Sequence, residues 1–221
     1  MSSSQSRSNG WCARAARNSD PVAGSLLSES ARDTRLTPSF RRLDETTAEQ
    51  WKEIAAEAAL NQHRIAENVL RMLRSLASLT EGFPVNQLVH SLQTAARAES
   101  AGADDEMLVA ALCHDIGNLI EPSNHAMIAA EILRPFVRKE VYWVIRVHQE
   151  FQGRYYFHHF NLDRNISDRY KGHPSYELAR RFSGEWDQMA FDPDYETPPL
   201  EHYEPLVRKI FSRRNPFTGG G

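Results

Sequence analysis

From Thr46 onward, apolar side chains return at intervals of three and four. In "TTAEQWKEIAAEAALNQHRIAENVLRMLRSLASL", Trp51, Ile54, Ala58, Ile65, Val69, Met72, Leu73 and Leu76 recur at helical spacing. This period predicts one long amphipathic helix, capped by Thr46 or Thr47 with Glu49 or Gln50 in its first turn. "TEGFP" then breaks the chain. "VNQLVHSLQTAARAESAG" reads as a second helix stopped at Gly102. "ADDEMLVAALCHDIGN" reads as a third, with acids in the first turn where the helix dipole favours them. After a break at Pro122 and Ser123 come "NHAMIAAEILRPFV" and "KEVYWVIRVHQEFQGRYY", a fourth and a fifth helix. "SYELARRFSGEWDQMAF" and "PLEHYEPLVRKIF" make a sixth and a seventh. No stretch reads as a β-hairpin and none repeats. The class expected is all-α.

Composition narrows the picture without changing it. A chain of 221 residues with a formal charge of −3 fits one domain, or one domain with a tail. That charge offers no basic field for nucleic acid. No apolar run is long enough to span a bilayer, so neither nucleic acid nor membrane is an expected partner. Cys12 lies in a polar stretch and Cys113 in an apolar helix; a disulfide between them is not expected, which points to a reducing, cytoplasmic setting. The start of the chain is rich in Ser and Arg, with no acid before Asp20. Residues 1–45 therefore read as a disordered tail. An acid-poor organelle-targeting segment is the other reading of that start. Residues 216–221 read as a flexible C-terminus.

The polar residues inside the apolar helices carry the chemistry. His90 lies in the second predicted helix, His114 and Asp115 end the third, His125 opens the fourth, His148 lies in the fifth and Asp187 in the sixth. Taken singly, each histidine reads as a satisfied core residue and Asp187 as a capping or solvated acid. Taken together, four imidazoles and two carboxylates on five successive helices match what a helical domain needs to build a two-metal site from facing helices. Asp115 has two oxygens with which to bridge. Imidazole with carboxylate suits iron, manganese or zinc better than magnesium.

The order His90, His114-Asp115, Asp187 resembles the HD-domain superfamily, named for its adjacent His-Asp. The resemblance implies a metal-dependent helical bundle. His125 and His148 point to its two-metal members. The text "PVNQLVHSLQTAARAESAGADDEMLVAALCHDIGNLI" and "NHAMIAAEILRPFVRKEVYWVIRVHQ" is similar to the small HD-domain oxygenases, among them aminohydroxyethylphosphonate dioxygenase and, more distantly, myo-inositol oxygenase. It runs from about Pro84 to Asp187 and makes 46–215 the HD domain. The resemblance implies that His90, His114, Asp115 and Asp187 hold one metal, and Asp115, His125 and His148 the other. It also implies a mixed-valent Fe(II)/Fe(III) pair that uses O2 to cleave a C–C or C–heteroatom bond in a small polar substrate. Manganese, zinc or nickel would accompany the alternative, a phosphohydrolase of nucleotides or other phosphate esters. A third reading is a non-enzymatic module that uses the metal as a staple or senses a ligand.

Departures from that pattern bear on the substrate. Thr80 and Phe83 stand where the phosphonate enzymes carry a Tyr and a Glu over the iron. Asn118 replaces their further His, and Gln152 their anion-binding Lys. A neutral amide cannot act as a point charge, so the expected substrate is less anionic or is held by other residues. The stretch "RYYFHHFNLDRNISDRYKGHPSYE" supplies candidates. Asn118, Gln152, Arg154, His159 and Lys171 are the expected substrate contacts, with His158 beside them. No catalytic residue is expected beyond the metal ligands.

Overall fold

The computed structural model describes residues 40–62 and 64–213. Most of the expected N-terminal tail, Cys12 and the expected C-terminal stretch 216–221 lie outside the described residues. Residues up to Thr46 form a unit of their own, whose described part is one 3-10 turn, Leu43–Glu45, with Arg42 paired to Asp44. The second unit begins at Thr47 and holds eight α-helices, with no strand among the described residues. The fold is all-α, a helical bundle, as the spacing of apolar residues predicts.

The long helix expected at the start is two helices, α1 (Ala48–Leu60) and α2 (Arg64–Ser75). Of the two expected caps, Thr47 is the one used. Its hydroxyl accepts from the Gln50 N–H, and the Gln50 side chain accepts from the Thr47 N–H, closing a capping box. The break comes at Asn61, whose side-chain amide donates to the Glu57 carbonyl at 3.1 Å. Asn competes in this way for backbone partners. Because α1 buries none of its residues, no packing overrides the competition.

α3 (Gln87–Ser100) starts on the Asn86 side chain, which accepts from the Val89 N–H. It stops where Gly102 takes φ +75° and the Ala103 N–H reaches the Ala98 carbonyl at 3.0 Å, a glycine-dependent helix end. α4 (Asp105–Cys113) is capped by Asp104 and is buried at every position from Met107 to Cys113. A helix apolar on all sides belongs inside a core, and α3, α6 and α8 pack around it. α5 (His125–Leu133) lies along α6 (Lys139–Tyr156), which buries Val141, Val144, Ile145, His148 and Phe151 at helical intervals. α7 (Tyr176–Arg181) runs into a π-helical turn, Phe182–Asp187, and α8 (Leu200–Phe211) closes against α2 and α4. Leu70, Leu73, Leu112, Ile145 and Ile210 are fully enclosed, each contributing about 1.5–3 kcal/mol of transfer free energy.

Candidate metal centre

The buried central helix decides where the chemistry sits. α4 delivers His114 as its C-cap and Asp115 directly after it, at the middle of the bundle rather than at its surface. A 3-10 turn, Ile116–Leu119, then leads towards α5. Gly117 is needed there, though not for a sharp turn as a glycine in that place suggests. Its φ is not positive; instead, a Cβ on it would lie 2.3 Å from the His125 carbonyl oxygen and 2.6 Å from the His125 Cα. Only hydrogen leaves room for the first residue of α5 beside the His-Asp pair. α3 brings His90, and α6 brings His148. The π-turn, confirmed by the Gln188 N–H bonding the Ser183 carbonyl at 3.1 Å, brings Asp187 inward. A π-turn adds a residue to the helical ladder and re-aims the side chains beyond it; such turns occur often at functional sites.

The six side chains meet. Asp115 Oδ2 lies 3.4 Å from His90 Nε2 and 3.5 Å from His114 Nε2. Asp115 Oδ1 lies 3.2 Å from His125 Nε2 and 3.4 Å from His148 Nε2. Asp187 Oδ1 joins the first group, 3.3 Å from His90 and 3.5 Å from His114. The two oxygens of one carboxylate thus face two nests, one of four donor residues and one of three. Donors about 2.0–2.1 Å from a metal stand roughly 2.8–3.0 Å apart at right-angled corners and roughly 3.3–3.4 Å at tetrahedral ones; the carboxylate–imidazole spacings of 3.2–3.5 Å lie near the tetrahedral value. His90, His114, His148 and Asp187 are 0% exposed, whereas Asp115 and His125 are each 7% exposed. What access there is from solvent therefore lies on the side of the three-donor nest.

Hydrogen bonding fixes how each imidazole points. His114, His125 and His148 each place Nδ1 against the carbonyl three residues earlier: Ala111 at 2.7 Å, Pro122 at 2.6 Å and Ile145 at 2.7 Å. His90 places Nδ1 3.0 Å from the Ala190 carbonyl. A carbonyl only accepts, so each Nδ1 carries the hydrogen and each neutral ring turns its Nε2 lone pair inward. His90 and His114 then face each other at 3.1 Å through those nitrogens, as do His125 and His148. Two lone pairs at that distance repel unless a cation lies between them. Asp187 Oδ2 is buried with no hydrogen-bond partner. Two buried carboxylates without compensating charge are costly. The donor set fits two metal ions on these grounds.

The electrostatics of the bare protein tell the same story. Burial works against a charged His90, but the carboxylates of Asp115 and Asp187 outweigh it and carry the imidazole up to about 10. The carboxyl of Asp115 would be raised by burial, yet His114, His148 and His90 hold it well below the usual carboxylate range. Asp187 is likewise held down against its burial, by His114 and His90. The field that draws a proton onto His90 is one that draws a cation.

Residues 88–188 match the family model of the HD domain. This span contains all six converging donors. Over that stretch the chain is similar to the HD domain. No curated protein matches the chain. The similarity to the HD domain, together with buried His and Asp groups that could hold metal ions, supports a metal-dependent enzyme in broad class, and no described helix is long and apolar enough to cross a membrane.

Around this candidate centre the expected substrate contacts divide. The Gln152 side-chain amide donates to Asp187 Oδ1 at 2.9 Å, so it orients a candidate ligand. Asn118 is half-buried on the 3-10 turn after Asp115. Arg154 and Lys171 line a separate polar pocket that includes none of the six donors. His159 is exposed, its ring 3.9 Å from that of His158. Three groups beside the centre were not expected. Phe191 stacks on the His90 ring at 4.2 Å and on Phe83 at 4.9 Å, so Phe83 ends an aromatic stack over a candidate ligand. The Ala190 carbonyl locks His90. Tyr156 is half-buried two turns beyond His148; burial raises its phenol, and the charges of Asp187 and Asp115 add to that against a hydrogen bond from Gln149. The spacing of His148, Gln152 and Tyr156 on one helix face was the available signal for Tyr156. A carbonyl has no signature in sequence.

Proposed function

We propose that this HD domain is a dinuclear metalloenzyme, and more narrowly a diiron oxygenase. It would use O2 to cleave a C–C or C–heteroatom bond in a small polar substrate. The observation that carries the reading is the division of six donors by Asp115 into a four-residue and a three-residue nest. Three protein donors leave the second position open to substrate, on the side where Asp115 and His125 reach solvent. Iron held there would supply O2 activation and Lewis acidity.

The ionic surroundings favour oxygenase over phosphohydrolase. Among the described residues, the ion partners of Asp115 and Asp187 are all histidines. The sequence has no Lys or Arg between Arg97 and Arg134, and the residue touching Asp187 from α6 is the neutral Gln152. Phosphoryl transfer relies on cations placed at the reacting group, and this centre lacks them. The side chains of the chain have definite tasks in this scheme. Asp115 spans the nests, Gln152 orients Asp187, and Tyr156, protonated at neutral pH, stands at the edge of the centre as a hydrogen-bond donor.

Elemental analysis of protein from iron-supplemented cells, with EPR after partial reduction, tests the reading. About two irons per chain and a coupled Fe(II)/Fe(III) signal are expected. Manganese, zinc or nickel with no coupled iron signal, and release of phosphate from esters without O2, would replace it with the phosphohydrolase.

A further inference from the structure

A second pocket lies outside the metal centre, where α6, the 3-10 turn Ile166–Tyr170 and α7 come together. Its volume is about 370 Å³, and its lining includes Arg154, Lys171, Arg180, Ser167, Asp168 and Tyr176. Three cations and one carboxylate give the lining a formal charge of +2. The charges are not all spent internally. Lys171 pairs with Asp168 at 2.8 Å, and Arg180 with Glu177, outside the pocket, at 2.7 Å. Arg154 has no ion pair among the described residues, only a long contact of 3.4 Å to the Asn165 amide oxygen. Ser167 is 3% exposed, yet its hydroxyl has no hydrogen-bond partner among the described residues and lines this pocket. A hydroxyl that opens on the pocket with no protein partner, in a lining that also holds a guanidinium with no ion pair, is an arrangement that a ligand would complete.

We infer that this pocket binds a small phosphorylated, hydroxylated molecule of the sugar-phosphate class. Arg154 and Lys171 supply charge for a phosphate group, and the Ser167 hydroxyl supplies a further donor. The volume exceeds what a bare phosphate needs. Asp168, a poor neighbour for the phosphate itself, accepts from hydroxyls on the organic part, while the Tyr176 ring covers its carbon face. None of the six converging donors lines the pocket, so the inference does not rest on the metal centre.

Isothermal titration of the full chain with ribose 5-phosphate, ribose and inorganic phosphate tests it. Saturable binding of ribose 5-phosphate with a Kd below about 1 mM is expected, with weaker binding of phosphate and none of ribose. Arg154→Ala should weaken the sugar phosphate at least about tenfold, and Ser167→Ala, the milder change, several-fold, as lost charge-assisted and neutral hydrogen bonds do. The metal content of both variants should stay at the level of the parent protein, which shows that the fold is intact. No saturable binding would overturn the inference. So would binding that survives Arg154→Ala and disappears with a chelator, since the ligand would then sit on the metals.

Discussion

The two nests around Asp115 differ in how they are held. In the four-donor nest every part except Asp115 is sealed from solvent, and apart from the Ala111 carbonyl on His114 its fixing groups come from far along the chain: the Ala190 carbonyl on His90, the Phe191 ring against it, and Gln152 on Asp187. The three-donor nest reaches solvent, and both of its imidazoles are locked by a carbonyl three residues upstream. Two of the closed nest's side chains, His90 and Asp187, are aimed by tertiary contacts, whereas both imidazoles of the open nest are aimed by their own local turns. The closed nest is suited to keeping a metal and the open nest to presenting one.

Removing the carboxylate common to both tests the comparison most severely. Asp115→Ala is expected to take the metal content from about two ions per chain to near none, measured by elemental analysis of folded protein. Loss of a single ion would show that the carboxylate does not join the nests. His125→Ala should remove about one ion, from the open nest; equal partial losses from both would erase the distinction drawn above. Gln152→Ala leaves the six donors in place but frees Asp187. Lost ligand orientation typically weakens metal affinity or activity by about 10–100-fold, and metal competition with a chelator should locate that loss in the closed nest. Gly117→Ala pushes a methyl group into the His125 backbone. It should lower stability by about 1–3 kcal/mol, read by thermal melting, and the open nest should lose metal first.

The smallest effect lies outside both nests. Glu106 is raised by burial but lowered further by the Arg138 N–H and the Arg213 guanidinium, for a net value below its ordinary 4.5. A carboxyl depressed in the folded protein stabilises it above the unfolded value, and that stability is lost as pH falls through the folded one. Acid melting below about pH 4.5 should therefore steepen in the parent relative to Glu106→Gln. Parallel curves would mean that these contacts contribute nothing.

Much of this architecture was legible because it is periodic. The apolar spacing placed α6 from Lys139 to Tyr156, and Gly102 marked the end of α3. All six donors could be picked out because an imidazole or carboxylate in an apolar helix is conspicuous, and the fold brings them together. The break at Asn61 was missed because helical periodicity continues across it. The π-turn was missed because nothing in "FSGEWD" differs from ordinary helix. The role of Gly117 was not legible, because close approach to His125 needs coordinates, whereas a lone glycine in sequence suggests conformational freedom. Arg154 and Lys171 were grouped with the centre because they lie between His148 and Asp187 in sequence. Arg154 falls six residues after His148, on another face of α6, and both turn to a different pocket.

The upstream carbonyl locks have a consequence for the order of assembly. His114, His125 and His148 are aimed as soon as their own helical turns form. His90 waits for Ala190, one hundred residues later, and its nest also waits for Asp187. A chain emerging from the ribosome therefore has both imidazoles of the open nest oriented long before the closed nest has all its members. Any metal captured early meets the weaker, three-donor position, from which it can still leave. Only when the π-turn and Ala190 have been made would a metal in the closed nest meet its full set of oriented donors.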